Sequence, residues 1–151
     1  MTEATAAFEQ LRQHLVGREL PPTTLEVERG HLLRFAEAIG DPNPLWNDEV
    51  KARRTRYGGL VAPPTFLRAC RLERSDALAS LPGRRALDAG SEWEYFEPIR
   101  PGDRITAQPK IVDVYQRQGS IGTMTFVITL TTYTNQFGQV VATQKSTSIR
   151  Y

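Results

Sequence analysis

The sequence is poor in the side chains that most enzymatic chemistry needs. Its 151 residues include one cysteine, Cys70, and two histidines, His14 and His31. A single cysteine excludes an intrachain disulfide and accords with a reducing, cytoplasmic setting. One thiol and two imidazoles cannot assemble a zinc site of the usual kinds without several carboxylates, so neither a metal nor another cofactor is expected. No apolar run approaches the ~20 residues of a membrane span. The opening MTEATAAFEQLRQHL lacks the basic start and apolar stretch of a signal peptide. Neither charge dominates: 19 Lys and Arg against 17 Asp and Glu leave a net charge of +2, which makes no case for nucleic acid.

What is present suits one globular domain. Hydrophobic residues make up 40% and charged residues 24%, an ordinary balance for a chain able to bury a core. We read a single domain over 1–151, with 1–22 as an N-terminal helical extension. Phe8, Leu11 and Leu15 recur at helical spacing, and Pro21-Pro22 ends that segment. Thr23 to Glu28 alternates as a strand. His31 to Ile39 forms a helix with Leu32, Phe35, Ala36 and Ile39 as its apolar stripe, closed by Gly40. Asn47 or Asp48 can cap a short helix reaching about Arg54. A longer helix is expected from Pro64 through Phe66, Leu67, Ala69, Cys70 and Leu72, because proline is tolerated in a first turn. Strands are read from Ser91, followed by three long β-rich runs over Arg104–Gln118, Gly122–Asn135 and Val140–Tyr151, separated by turn residues. Such a meander buries one face, and the helix from Pro64 is the candidate to cover it.

Three stretches bear on function. The first is Phe35-Ala36-Glu37-Ala38-Ile39-Gly40-Asp41-Pro42-Asn43-Pro44-Leu45-Trp46. The second is Tyr57-Gly58-Gly59-Leu60-Val61-Ala62-Pro63-Pro64-Thr65-Phe66, and the third is Phe96-Glu97-Pro98-Ile99-Arg100-Pro101-Gly102-Asp103. In their order and spacing they resemble the MaoC-like dehydratase N-terminal-domain family. That resemblance covers about Val27 to Tyr151. It implies an α+β hot-dog fold, an antiparallel β-sheet wrapped around a long central helix. It also implies an (R)-specific enoyl-thioester hydratase or 3-hydroxyacyl-thioester dehydratase.

In the family, the pattern G-D-x-N-P-[LIV]-H supplies an aspartate and a histidine that share one water for addition or elimination, which is general acid–base catalysis. A backbone N–H at the start of the central helix polarises the thioester carbonyl. Here Gly40, Asp41, Asn43, Pro44 and Leu45 are kept, but Trp46 stands at the histidine position. Indole donates one hydrogen bond and takes no proton near neutral pH. Ala62-Pro63-Pro64 replaces the His-Gly pair that usually precedes the helix, and proline offers no N–H. His31 cannot substitute. Ten residues along a helix at ~1.5 Å each place it about 15 Å from Asp41.

These departures resemble degenerate subunits that shape an acyl channel while a partner supplies the catalytic pair. The sequence therefore predicts a non-catalytic, substrate-channel subunit of a heteromeric dehydratase acting on an acyl-CoA or acyl-carrier-protein thioester. Its expected partner is a catalytic MaoC-like hot-dog chain, with a homodimer formed edge to edge when the chain is alone. A homodimeric enzyme active by itself (hydratase or thioesterase) and a thioester-binding or structural hot-dog protein stand as alternatives. Asp41 is the residual catalytic candidate, though a turn role is favoured for it. The expected substrate-binding residues are Asn43, Trp46, Tyr57, Gly58, Gly59, Val61, Pro63, Thr65 and Phe66. Of these, Trp46, Tyr57, Val61, Pro63 and Phe66 are expected to line a narrow apolar cleft. Lys51, Arg53, Arg54 and Arg56 are read as a solvated basic face, Asp103 as a turn residue and Cys70 as a buried structural thiol.

Overall fold

A computed structural model describes residues 3–151. The elements are α1 (Glu3–Leu15), β1 (Thr23–Glu26), α2 (Arg29–Ala38), α3 (Pro44–Asn47), α4 (Glu49–Arg53), β2 (Ala86–Tyr95), β3 (Arg104–Gly119), β4 (Gly122–Thr134) and β5 (Val140–Arg150). The strands form one antiparallel sheet in the order β1-β3-β4-β5-β2. Among the described residues no helix is long and apolar enough to cross a membrane.

Alternation in the three long strands decides which face is covered. In β3, Ile105, Ala107 and Ile111 point inward. A bulge between Ile111 and Asp113 then shifts the alternation so that Val114 also faces the core. β4 contributes Thr125, Val127, Thr131 and Tyr133, and β5 contributes Ala142 and Gln144. Two apolar clusters cover this face. One joins Leu32 and Ala36 of α2 with Trp46, Val61, Phe66, Leu67, Ile105 and Tyr133. The other joins Leu15 to Leu81, Ile111, Val114 and Val127, with Phe8 and Leu11 packed against it. α1 is thus part of the core, not an appendage, and the chain after it is stitched to β3. Gly17 N–H donates to Ile111 O at 2.7 Å, Ile111 N–H to Arg18 O at 3.0 Å, and Leu20 N–H to Pro109 O at 2.9 Å.

The expected long helix from Pro64 is absent. Pro64–Ala69 forms a six-residue 3-10 helix, and after Cys70 the chain is irregular except for a 3-10 turn at Asp76–Leu78. Phe66 and Leu67 are buried and seat the first turn. The next positions to reach the sheet would be Glu73 and Arg74, and a helical continuation would press their charges into the core. The chain peels away instead, leaving Leu72 38% exposed. Ile39 also departs from its expected place. It lies beyond the last turn of α2 and is 47% exposed, because the chain reverses at Gly40 with φ of 68°.

Candidate functional site

The three stretches identified in the sequence meet in space. Val61 N–H donates to Leu45 O at 3.0 Å, and Ala62 N–H donates to Ile99 O at 2.7 Å. The extended segment before Pro63 is therefore held between the other two stretches. The third stretch is anchored in turn to the end of β1, through Val27 N–H to Asp103 O at 2.8 Å and Gly102 N–H to Val27 O at 2.7 Å. Asp103 is a turn residue, as read from the sequence. Its carboxylate accepts from Arg100 N–H at 2.8 Å and from the Gln136 amide at 2.9 Å.

Asp41 and Asn43 both hold local backbone. Asp41 Oδ1 accepts from Asn43 N–H at 3.0 Å, and Asn43 Oδ1 accepts from Leu45 N–H at 3.0 Å, capping α3. Each keeps its other side-chain polar atom, so neither is chemically silenced. Trp46 is buried, and its indole N–H finds no partner among the described residues. His31 lies edge-on to Phe66, with ring centroids 5.1 Å apart. His14 sits on α1, 3.4 Å from the Arg18 guanidinium.

Beside Trp46 opens an apolar cleft of about 410 Å³, with Tyr57, Val61, Pro63, Tyr95 and Phe96 among its walls. The structure thus gathers Trp46, Tyr57, Val61 and Pro63 as expected, but not Phe66. That ring is fully buried in the core against His31 and Phe35 and is not among the cleft's walls. Thr65 lies on the far side of the short helix, in a separate depression with Arg68, Ser91 and Trp93. Gly58 makes the turn before the cleft with φ of 66°, and Gly59 sits beside Arg100. Arg56 lies at the cleft, its guanidinium 4.9 Å from the Tyr57 ring centroid and bonded to the Tyr57 hydroxyl at 2.7 Å. Elsewhere in the basic stretch, Lys51 pairs with Asp48 at 3.3 Å and Arg53 with Glu49 at 2.6 Å. Pro63 and Pro64 carry no N–H, and Phe66 N–H is spent on Pro63 O at 2.9 Å. A thioester carbonyl placed here would meet few free backbone donors.

Sequence reasoning missed the other side of the short helix. Where the longer helix would lie there is a groove of about 430 Å³, bordered by Arg68, Cys70, Leu87, Ser146 and Ser148. On its floor the Tyr133 hydroxyl donates to Gln144 Oε1 at 2.9 Å, and the Gln144 amide donates to Ser91 Oγ at 2.9 Å. Burial, reinforced by nearby Cys70, pushes the Tyr133 phenol up, so it stays protonated as a donor. Burial likewise pushes the Cys70 thiol up, as befits a structural thiol. The signal available in the sequence was the run of hydroxyl and amide residues in β5, Thr143-Gln144-Lys145-Ser146-Thr147-Ser148.

Residues 14–144 match the family described as FAS1-like, dehydratase domain region. The chain belongs to that family. Its curled sheet and its neighbours among solved structures identify it as a MaoC-like, hot-dog member of the hydratases and dehydratases. The MaoC-like dehydratase from Rhodospirillum rubrum superposes with a TM-score of 0.72 at 26% identity, over 90% of this chain and 92% of that one. A probable enoyl-CoA hydratase alpha subunit from Thermomonospora curvata is 30% identical over 169 aligned positions, covering 95% of this chain and 52% of that protein. The HadBC (3R-hydroxyacyl-ACP dehydratase) complex from Mycobacterium tuberculosis shares the fold with a TM-score of 0.73 at 24% identity, over 89% of this chain and 96% of the matched chain. Within this family the present chain keeps the hot-dog scaffold.

Proposed function

We propose that this chain is a non-catalytic, substrate-channel subunit of a heteromeric (R)-3-hydroxyacyl-thioester dehydratase or enoyl-CoA hydratase. The observation that carries the reading is Trp46. It stands where the family resemblance calls for the proton-transferring histidine, it is buried, and the chain's two imidazoles pack elsewhere, His31 on Phe66 and His14 beside Arg18. Hydration of an enoyl thioester needs a base to take a proton from water and an acid to deliver one to the α-carbon; the family pattern divides these parts between aspartate and histidine, and an indole takes no proton near neutral pH. What remains suits binding. An acyl chain gains about 0.8 kcal/mol per buried methylene in an apolar cleft, with no proton transfer required. Asn43, Trp46, Tyr57, Gly58, Gly59, Val61 and Pro63 would shape that end of the channel, and Thr65 the adjoining depression. Phe66 would support them from the core.

Two relatives favour a partner. One is named as an alpha subunit, and one structural neighbour is a two-chain dehydratase complex. The partner would be a hot-dog chain carrying the complete G-D-x-N-P-[LIV]-H pattern, and the substrate an acyl-CoA or acyl-carrier-protein thioester. The test is co-expression with such a chain, followed by hydration assays on crotonyl-CoA and longer enoyl-CoAs. The proposal expects turnover by the pair that is abolished by substituting the partner's histidine and is insensitive to Asp41→Asn in this chain. Loss of turnover with Asp41→Asn would overturn it.

A further inference from the structure

The sheet has two unequal edges. β1 offers four residues, whereas β2 offers ten and pairs only with β5. Every residue of β2 except Ser91 and Trp93 is exposed, and Leu87, Tyr95 and the adjoining Phe96 are 51%, 46% and 54% exposed. A long edge with exposed apolar side chains is a site for pairing with another strand. A bulge between Asp88 and Ser91 breaks the ladder, so the regular pairing segment is Ser91–Tyr95. Its alternate side chains differ sharply. Ser91, Trp93 and Tyr95 lie on the covered face, where Trp93 stacks on Tyr133 and Tyr95 stacks on Trp93. On the other face the segment carries only carboxylates, Glu92 and Glu94, both exposed. Within the sheet Glu92 lies across from Lys145 of β5, while Glu94 lies across from Thr143.

The charge pattern constrains what can add to this edge. In an antiparallel pair, directly opposite residues share a face. If two copies paired about a two-fold axis at Trp93, Glu92 of each would stand opposite Glu94 of the other. An axis at Glu92 or at Glu94 would set that residue against itself. An axis at Ser91 would leave the two Glu92 side chains on a diagonal, and an axis at Tyr95 the two Glu94 side chains, roughly 7–8 Å apart. Each self-pairing centred in the segment therefore brings like charges together, which destabilises it.

We infer that β2 is built to pair with a different chain, a hot-dog partner whose outer strand presents lysine or arginine opposite Glu92 and Glu94. The homodimer is then the weaker assembly. This rests on the heteromeric reading above and specifies the partner's chemistry. The two glutamates act as a selectivity device, rejecting a second copy while the neighbouring Tyr95 and Phe96 supply apolar contact.

The test builds the complementary edge into the chain itself. Wild-type protein and a Glu92→Lys/Glu94→Lys variant, carrying different tags, are mixed at about 0.05 M salt and analysed by native mass spectrometry and sedimentation velocity. The expected result is a mixed dimer in clear excess over the statistical 1:2:1 distribution, with affinity about tenfold or more above wild-type self-association. The excess should shrink at about 1 M salt, where the charges are screened. A statistical mixture, or no mixed dimer at all, would overturn the inference. If the Lys variant does not fold, Glu92→Gln/Glu94→Gln decides the matter alone. Its self-association should be several-fold tighter than wild type, and unchanged self-association would refute the role of the carboxylates. No substrate is present, so an inactive complex would count against the proposed function and leave this result standing.

Discussion

The two flanks of the short helix at Pro64 were built from the same kind of sequence and came out differently. On the motif flank, three stretches distant in sequence are bonded to one another through Leu45, Val61, Ala62 and Ile99, and the cleft they enclose is mostly apolar. On the β2 flank, the element that should fill the space ends after six residues and leaves a groove floored by Tyr133, Gln144 and Ser91. The motif flank is held together by backbone hydrogen bonds, with Trp46 buried beside its cleft. The β2 flank keeps neither helix nor cover. Backbone hydrogen bonds hold the motif turn in place, and the Trp46 side chain takes no part in them.

That contrast sets the expected effects of substitution. The largest belongs to Phe66, which is fully buried between His31 and Phe35. Phe66→Ala should lower stability by about 3–5 kcal/mol in urea titration. Leu72→Ala, six residues on and half out of the groove, should stay within about 0.5 kcal/mol. Equal losses would mean that the second flank is packed after all. Next comes Asp103→Ala, which strands Arg100 N–H and the Gln136 amide and should cost about 1–3 kcal/mol. Asn43→Ala removes the cap of α3 and should cost about 1 kcal/mol. Thr131→Val should act in the opposite direction. The Thr131 hydroxyl is buried without a partner among the described residues, so valine should raise stability by about 1 kcal/mol, read as a higher urea midpoint.

Much of this contrast was legible in the sequence, and the exceptions have causes. The long strands were legible because one covered face imposes alternation, as in Thr125, Val127, Thr129 and Thr131 against Phe126, Ile128 and Leu130. The start of β2 was set at Ser91 instead of Ala86, because an edge strand exposed on both faces has no alternation to read. The helix at Pro64 was overextended because Phe66, Leu67 and Cys70 fit a helical stripe. What ends it is the pair Glu73 and Arg74, whose effect depends on a sheet lying beneath them. In the candidate site, Trp46, Tyr57, Val61 and Pro63 were recoverable from the motif. The far wall, Tyr95 and Phe96, comes from a distant strand end that no local pattern connects to it. Phe66 looked like a cleft residue because it follows the prolines, but the 3-10 turn rotates its ring into the core.

The proposed function gives this chain a place for an acyl thioester without the means to react with it. Its most direct test is the hydration of crotonyl-CoA by the purified chain alone, with Trp46→His and Asp41→Asn assayed alongside. The account predicts no turnover above the uncatalysed background for the wild-type chain. It predicts none for Trp46→His either, since Pro63 and Pro64 still withhold the backbone donors that would polarise the carbonyl. Turnover by the wild-type chain that disappears in Asp41→Asn would contradict it.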